Sequence, residues 1–154
     1  IVETRYSEET INGKKIINHL AKGMNPIACS RVFDYIRKEP GRKAVILILD
    51  DFHDAHNSSE NITWHYDTDY EFLNDNSIKQ VITAGARHLD TYIRLELAGV
   101  PEEKIVHTRN ELDSTKNLNI KDVDTVFILY DIYTIHLMNQ IKKDVEKMAN
   151  ECHD

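Results

Sequence analysis

The sequence predicts an α/β fold with a mostly parallel sheet, and three observations predict it. Two uninterrupted apolar runs, KAVILIL from Lys43 and DTVFILY from Asp124, together with IKQVITAG from Ile78, are rich in β-branched and aliphatic residues, as strands covered on both faces are. Helical stripes of apolar residues alternate with these runs. The loops that follow the runs carry aspartates, histidines and aromatics, and in open parallel sheets ligand chemistry gathers at the carboxyl ends of strands.

Taken in order, the first dozen residues read as a loose lead-in, and GKKIINHL alternates polar and apolar residues as an edge strand does. Asn25 is placed to cap a helix whose first residue is Pro26. Ile27, Val32, Phe33, Tyr35 and Ile36 form that helix's stripe, which stops at EPGR. KAVILIL is the first central strand, and an acidic loop, Asp50 to Asp69, follows it. ITWHYDTDYEFL reads equally as a short strand or a helical turn. IKQVITAG is the second central strand. ARHLDTYIRLELAGV is an amphipathic helix with Leu89, Ile93 and Leu97 at spacings of four, closed by Gly99. KIVHT is a short strand, RNELDSTKNL a polar helix and DTVFILY the third central strand. The last helix puts Ile135, Met138, Ile141, Val145 and Met148 on one face.

Bulk properties bound the function. A chain of 154 residues, 41% of them hydrophobic, supports one compact domain. A net charge of -7 and a pI near 5.6 give a nucleic-acid partner no electrostatic support. No apolar run approaches the roughly 18 residues of a membrane span, and the polar first residues are not a signal peptide. Cys29 and Cys152 form no CxxC pair, which suits a reducing, cytoplasmic setting; Cys29 reads as a small buried helix residue. The sequons at Asn57 and Asn61 carry little weight without a secretion signal. The chain starts IVETRY, without an initiator Met, which leads us to expect a piece of a longer parent.

Three strand-end loops are candidates for chemistry. The first holds Asp50, Asp51, His53, Asp54 and His56, oxygen and imidazole donors to which a divalent metal could bind. Their spacing matches no HExxH, EF-hand or zinc pattern, and Asp, Asn and Ser abound in loops because they cap and turn, so no metal site is assigned. Farther along, Trp64, Tyr66, Tyr70 and Phe72 alternate with polar residues, either as packing against the sheet edge or as a ridge for a partner. Asp67 and Asp69 sit within that frame, where a carboxylate can orient a histidine or serve as a base. In the second loop, TAGAR, Gly85 makes a tight turn or opens an anion site with Arg87. The third, YDIYT, holds Tyr133 and Thr134. His88, His107 and His136 read as ordinary surface or packing histidines. Neither a GxxxxGK[ST] phosphate loop nor a GxSxG elbow is present.

GMNPIACSRVFDYI, VILILDD, ITWHYDTDYEF, ITAGARHLDTYIRLELAGV and FILYDIYT follow one another in an order that resembles the C-terminal domain of MurT-type Mur ligases. That family's stretches read NPxGFNxVL, a strand ending in ND, DGxDxSWxWDxDFE, SGxRxxDxxxRLxYAGV and a strand followed by TYT. The match runs from about Gly23 to about Asn139, and its most specific parts are the Trp-x-x-Asp-x-Asp core and the RLxxAGV helix. The resemblance implies a Rossmann-like three-layer domain of Mur ligase C-terminal type over residues 23–154, with 1–22 as lead-in and edge strand.

It also implies an activity for the parent. MurT-type ligases activate the α-carboxylate of D-glutamate in lipid-linked peptidoglycan precursor with ATP and magnesium, held mainly by a central domain. Ammonia from a GatD-type glutaminase then makes the amide, and the C-terminal domain supplies an aspartate to the glutaminase's Cys-His pair. Carried onto this sequence, Asp67 is the first candidate for a catalytic contribution, followed by Asp69 and Asp54. Trp64, Tyr66 and Asn61 would face the glutaminase. Asn25 would lie where the chain arrives from the central domain, and Arg87, Tyr133 and Thr134 would face nucleotide or substrate. The expected setting is cytoplasmic, with the parent at the inner face of the membrane.

The sequence departs from the family at one instructive place. Where the family has DGxDxSW this chain has SSENITW, so Asn61 stands at the motif's aspartate, whereas Asp67 and Asp69 match WxWDxDFE. If the triad aspartate is the one matching Asn61, the charge is missing; if it is Asp67, it is present. A docking module without chemistry, and a free-standing metal enzyme using Asp50, Asp51, His53 and Asp54, are the rival readings.

Overall fold

The computed structural model describes residues 5–21, 25–49 and 62–152. Its sheet begins where the sequence suggested a loose lead-in. Strand β1 (Tyr6–Ile11) pairs antiparallel with β2 (Lys14–Leu20). Asn12 and Gly13 between them have φ of 50° and 78°, the left-handed pair that a two-residue hairpin turn requires and that Asn-Gly adopts at little cost. Strand β2 is therefore not the sheet edge, because β1 covers it. The remaining strands are β3 (Lys43–Ile48), β4 (Ile78–Ala84), β5 (Ile105–Thr108) and β6 (Thr125–Tyr130), in the order β1-β2-β6-β3-β4-β5. Strands β2 to β6 run parallel.

Strands β3 and β6 read as continuous apolar sequence because both sheet faces are covered. On one face Ile17, Val45, Leu47, Val81, Phe127 and Leu129 meet helices α1 (Pro26–Lys38) and α2 (His88–Leu97). On the other, Ile16, Ile46, Ile82, Val126 and Ile128 meet α3 (Ile135–Asn150). The result is three layers, helices on both faces of one sheet, as expected.

Helix α1 starts as the sequence predicts. The Ala28 N–H donates to Asn25 Oδ1 at 3.0 Å, and Pro26 opens the first turn. Cys29, Val32, Phe33 and Ile36 face the core, while Ile27 and Tyr35, counted in the apolar stripe, turn outward. In α3 the predicted face holds, with Met138, Ile141 and Val145 buried.

Two further expectations are corrected. Leu89, Ile93 and Leu97 lie outside, at 54%, 48% and 66% exposure, whereas Thr91, Arg94, Leu95 and Ala98 form the buried face of α2. The buried side of α2 includes an arginine, so the apolar stripe does not mark it. The RNELDSTKNL stretch is no helix. It makes a short 3₁₀ turn at Glu111–Asp113, with the Leu112 N–H donating to Asn110 Oδ1. Asn, Asp and Ser here satisfy the backbone locally, which competes with helix formation. The 62–73 segment, left open between strand and turn, forms two 3₁₀ turns, Ile62–His65 and Tyr70–Leu73. Among the described residues no helix is long and apolar enough to cross a membrane.

Candidate functional site

The 62–73 segment is fixed from beneath by one buried arginine. Arg94 Nε donates to the His65 carbonyl at 2.8 Å, and its Nη2 donates to the Thr68 carbonyl at 2.9 Å. The same Nη2 reaches both Glu71 carboxylate oxygens, at 2.9 and 3.0 Å. The guanidinium also lies over the Tyr70 ring at 5.1 Å and the Tyr66 ring at 5.9 Å. Only arginine's planar fork can serve two carbonyls and a carboxylate at once.

Aromatic packing completes the anchor. Trp64 is buried and stacks on His65 at 3.9 Å between ring centres. His65 Nδ1 and the Tyr70 hydroxyl form a 2.8 Å hydrogen bond. Tyr70 is fully buried, edge-on to Phe33 at 5.0 Å. Burial, then the positive charges of Arg94 and Arg87, push His65 down to about 4, and burial raises Tyr70. The pair is thus neutral at pH 7. Thr68 Oγ1 donates to the Trp64 carbonyl at 2.7 Å, closing the bend between the two 3₁₀ turns.

What this frame presents outward is Asp67 and Asp69, both exposed. The Asp69 N–H donates to Ser30 Oγ at 2.9 Å, tying the segment to the first turns of α1. Neither carboxylate has a hydrogen bond or ion pair among the described residues. Of the aromatics weighed as a partner ridge, Trp64 and Tyr70 face the core, and Tyr66, at 56% exposure, is presented to solvent. Asp54 and Asn61 lie outside the described residues, as do Asp50, Asp51, His53 and His56.

The other candidates sit at the same end of the sheet in different roles. Asn25 caps α1 with its side chain. Gly85 has φ +118° and accepts the His88 N–H, a tight turn into α2, with Arg87 paired to Asp90 at 3.7 Å. Thr134 is buried, and its hydroxyl lies 3.0 Å from both the Ile48 and the Asp131 carbonyls, which share its one proton. Its work is to lock the turn after β6 onto β3. Tyr133 is 52% exposed. His88 and His107 are not independent surface histidines, since their Nδ1 atoms lie 3.1 Å apart. Cys29 is buried, and desolvation, with the nearby Asp131 charge, pushes its thiol up to about 12, which makes it no nucleophile.

Sequence reasoning missed Arg94 and Ser30. Arg94 had a signal: Thr91, Arg94, Leu95 and Ala98 recur at i, i+3, i+4 and i+7, a second helical face with small and aliphatic neighbours. Ser30 had none beyond its place in the first turns of α1.

The fold and this anchored loop define a class, an α/β domain of Mur ligase C-terminal type. The chain belongs to the MurT ligase C-terminal family, which matches residues 20–135. It is 27% identical over 106 residues to the Streptococcus pneumoniae lipid II isoglutaminyl synthase (glutamine-hydrolyzing) subunit MurT. That alignment covers 68% of this chain and 23% of the subunit, so the chain spans about a quarter of the curated relative it matches.

Proposed function

We propose that this chain is the C-terminal domain of an ATP-dependent ligase that amidates the D-glutamate α-carboxylate of lipid-linked peptidoglycan precursor, using ammonia from a GatD-type glutaminase. ATP and magnesium would bind mainly on the ligase's central domain, which this chain would close over during turnover. The setting would be cytoplasmic, with the precursor drawn from the inner face of the membrane. Family membership supports the class. The observation that carries the site is a pair of unpartnered carboxylates, Asp67 and Asp69, on an exposed bend held by the buried Arg94.

In this reading Asp67 meets the glutaminase's catalytic histidine. A carboxylate there fixes the imidazole's tautomer and stabilises the imidazolium that forms when the cysteine gives up its proton. Tyr66 would flank the contact, and Asn61 and Asp54, which precede it in the sequence, are the further candidates for it. Arg87 and Tyr133 would face nucleotide or substrate at the strand ends, and Asn25 would lie near the arriving central domain.

The test is glutamine hydrolysis by a GatD-type subunit with and without the full-length ligase, wild type and Asp67→Ala. Stimulation by wild type, its loss in Asp67→Ala and an intact complex would support the reading. Stimulation that survives Asp67→Ala would take the catalytic role away from Asp67. Absence of both binding and stimulation would remove the glutaminase from the proposal. A second reading, a docking module without chemistry, is favoured by Asn61 at the motif's aspartate. It predicts that Asp67→Ala leaves stimulation unchanged and that Asn61→Asp raises it.

A further inference from the structure

Asn12 and Gly13, the turn between β1 and β2, are the one Asn-Gly pair in the sequence. Both are exposed, a Cβ at Gly13 would meet nothing within 4 Å, and the Gly13 N–H has no hydrogen-bond partner among the described residues. The Asn12 side chain, by contrast, is engaged. Its Nδ2 donates to the Ala149 carbonyl at 3.2 Å and to the Cys152 carbonyl, both at the C-terminal end of α3. Both partners are acceptors only, so the contact requires the amide nitrogen. A helix end of this sign carries unsatisfied carbonyls and partial negative charge, which an amide donor satisfies and a carboxylate opposes. These two bonds clamp the first hairpin to the last helix.

We infer that Asn12 is a site of spontaneous deamidation, and that its conversion releases the β1–β2 hairpin from α3. Glycine's lack of a side chain leaves its backbone nitrogen open to approach. That nitrogen attacks Asn12 Cγ: the N–Cγ bond forms, the Cγ–Nδ2 bond breaks, and ammonia leaves with the Gly13 amide proton. Water then opens the cyclic imide to aspartate or to isoaspartate. Either product puts a carboxylate where a donor stood. Isoaspartate also adds a methylene to a turn that must join Ile11 to Lys14 in two residues. The leaving nitrogen is the atom that the clamp holds. Conversion therefore proceeds from turns that have let go, slower than in an open chain by on the order of tenfold, since two hydrogen bonds must open first. A converted turn cannot close again on the same carbonyls. Strand β1 is then free to leave the edge of β2 that it covers.

The experiment ages the folded chain and the peptide ETINGKKI, Glu9 to Ile16, side by side at pH 8 and 37 °C. Peptide mass mapping follows the gain of about one dalton at each asparagine. Asn12 should convert before any other asparagine, about five- to fiftyfold more slowly than in the peptide. Hydrogen exchange of the aged chain and of Asn12→Asp should then quicken at the amides of β1 and at Glu151 and Cys152, whose N–H groups bond the last turn of α3. Protection kept in β3 and β6 would show that the sheet is intact, and the aged wild type supplies the product even if Asn12→Asp folds poorly. First conversion at another asparagine would overturn the inference, as would no conversion at Asn12 over a hundred peptide half-lives. A rate equal to the peptide's would remove the clamp. Exchange unchanged after conversion would show that the hairpin stays docked, and the inference would fail there too.

Discussion

Replacing Arg94 with alanine should release the acid-bearing segment from α2. Two backbone carbonyls, of His65 and Thr68, would lose their donors in a buried site. Each orphaned group costs about 1–3 kcal/mol. The Glu71 carboxylate is 56% exposed and would rehydrate, so the ion pair itself adds little. Lost contact of the guanidinium with the Tyr70 ring adds about 1 kcal/mol. Water reaching the carbonyls offsets part of this, and the expected loss is about 3–4 kcal/mol, a fall in Tm of about 10 °C for a chain of this size. Arg94→Lys should lose roughly half as much, because one ammonium can reach one carbonyl but not span both. Urea unfolding measures the loss. Trp64, the single tryptophan, reports the segment directly, since its ring stacks on His65. Its emission should shift to the red in Arg94→Ala below the unfolding transition. A loss under about 1 kcal/mol with unchanged emission would refute the clamp, because orphaned buried carbonyls cannot be that cheap.

The remaining predictions follow from the same geometry. His65 is depressed in the folded state to about 4, so as pH falls below its unfolded value of about 6.5 the unfolded chain takes up the proton first. Stability should therefore decline between pH 6.5 and 4, by up to about 3 kcal/mol, and His65→Gln should flatten that slope in urea titrations. Gly99 closes α2 at φ +86°, and a Cβ there would lie 2.8 Å from Asn74 Nδ2. Gly99→Ala should cost about 1–2 kcal/mol, mostly from the backbone, read by thermal unfolding. Leu97→Ser should change stability by less than about 0.5 kcal/mol because Leu97 already faces water, and a loss like that of a core leucine would contradict its placement. Cys29 should resist alkylation at pH 8 until urea unfolds the chain, because burial holds it as the thiol.

The sequence was legible where one signal dominated. KAVILIL and DTVFILY are strands because no other element buries such a run on two faces, and Asn25-Pro26 starts a helix because both residues suit its first turn. It was misleading where two signals competed. Leu89, Ile93 and Leu97 make the more apolar stripe of α2, yet the buried side carries Thr91 and Arg94, because part of what it packs against is the 62–73 segment with carbonyls to satisfy. Hydropathy counts the arginine as a surface residue and cannot see those carbonyls. The Asn12-Gly13 turn was there to be read, and with it β1, but charged residues alternate along β1 as they do in loops. Asp67 and Asp69 were singled out by motif and chemistry. That they share a groove with Ile27 and Ser30 depends on contacts separated by about forty residues, which no local pattern encodes.

How the loop is held bears on which of the two functional readings is the stricter. A bend that needed only to offer area to a partner could stay loose and order on docking, at a cost in affinity. This one is fixed beforehand by buried bonds from Arg94 and by the neutral His65–Tyr70 pair. Fixed placement is what a charge must have to orient another protein's histidine, since a small displacement forfeits much of the effect. Prearrangement serves docking as well, so rigidity alone does not separate the readings. Charge does. An asparagine at position 67 would keep the bend, the volume and the hydrogen-bonding reach while removing the negative charge that an imidazolium needs. Asp67→Asn therefore isolates chemistry from shape: docking retained with glutaminase stimulation lost would place the function in the carboxylate, and both retained would place it in the surface.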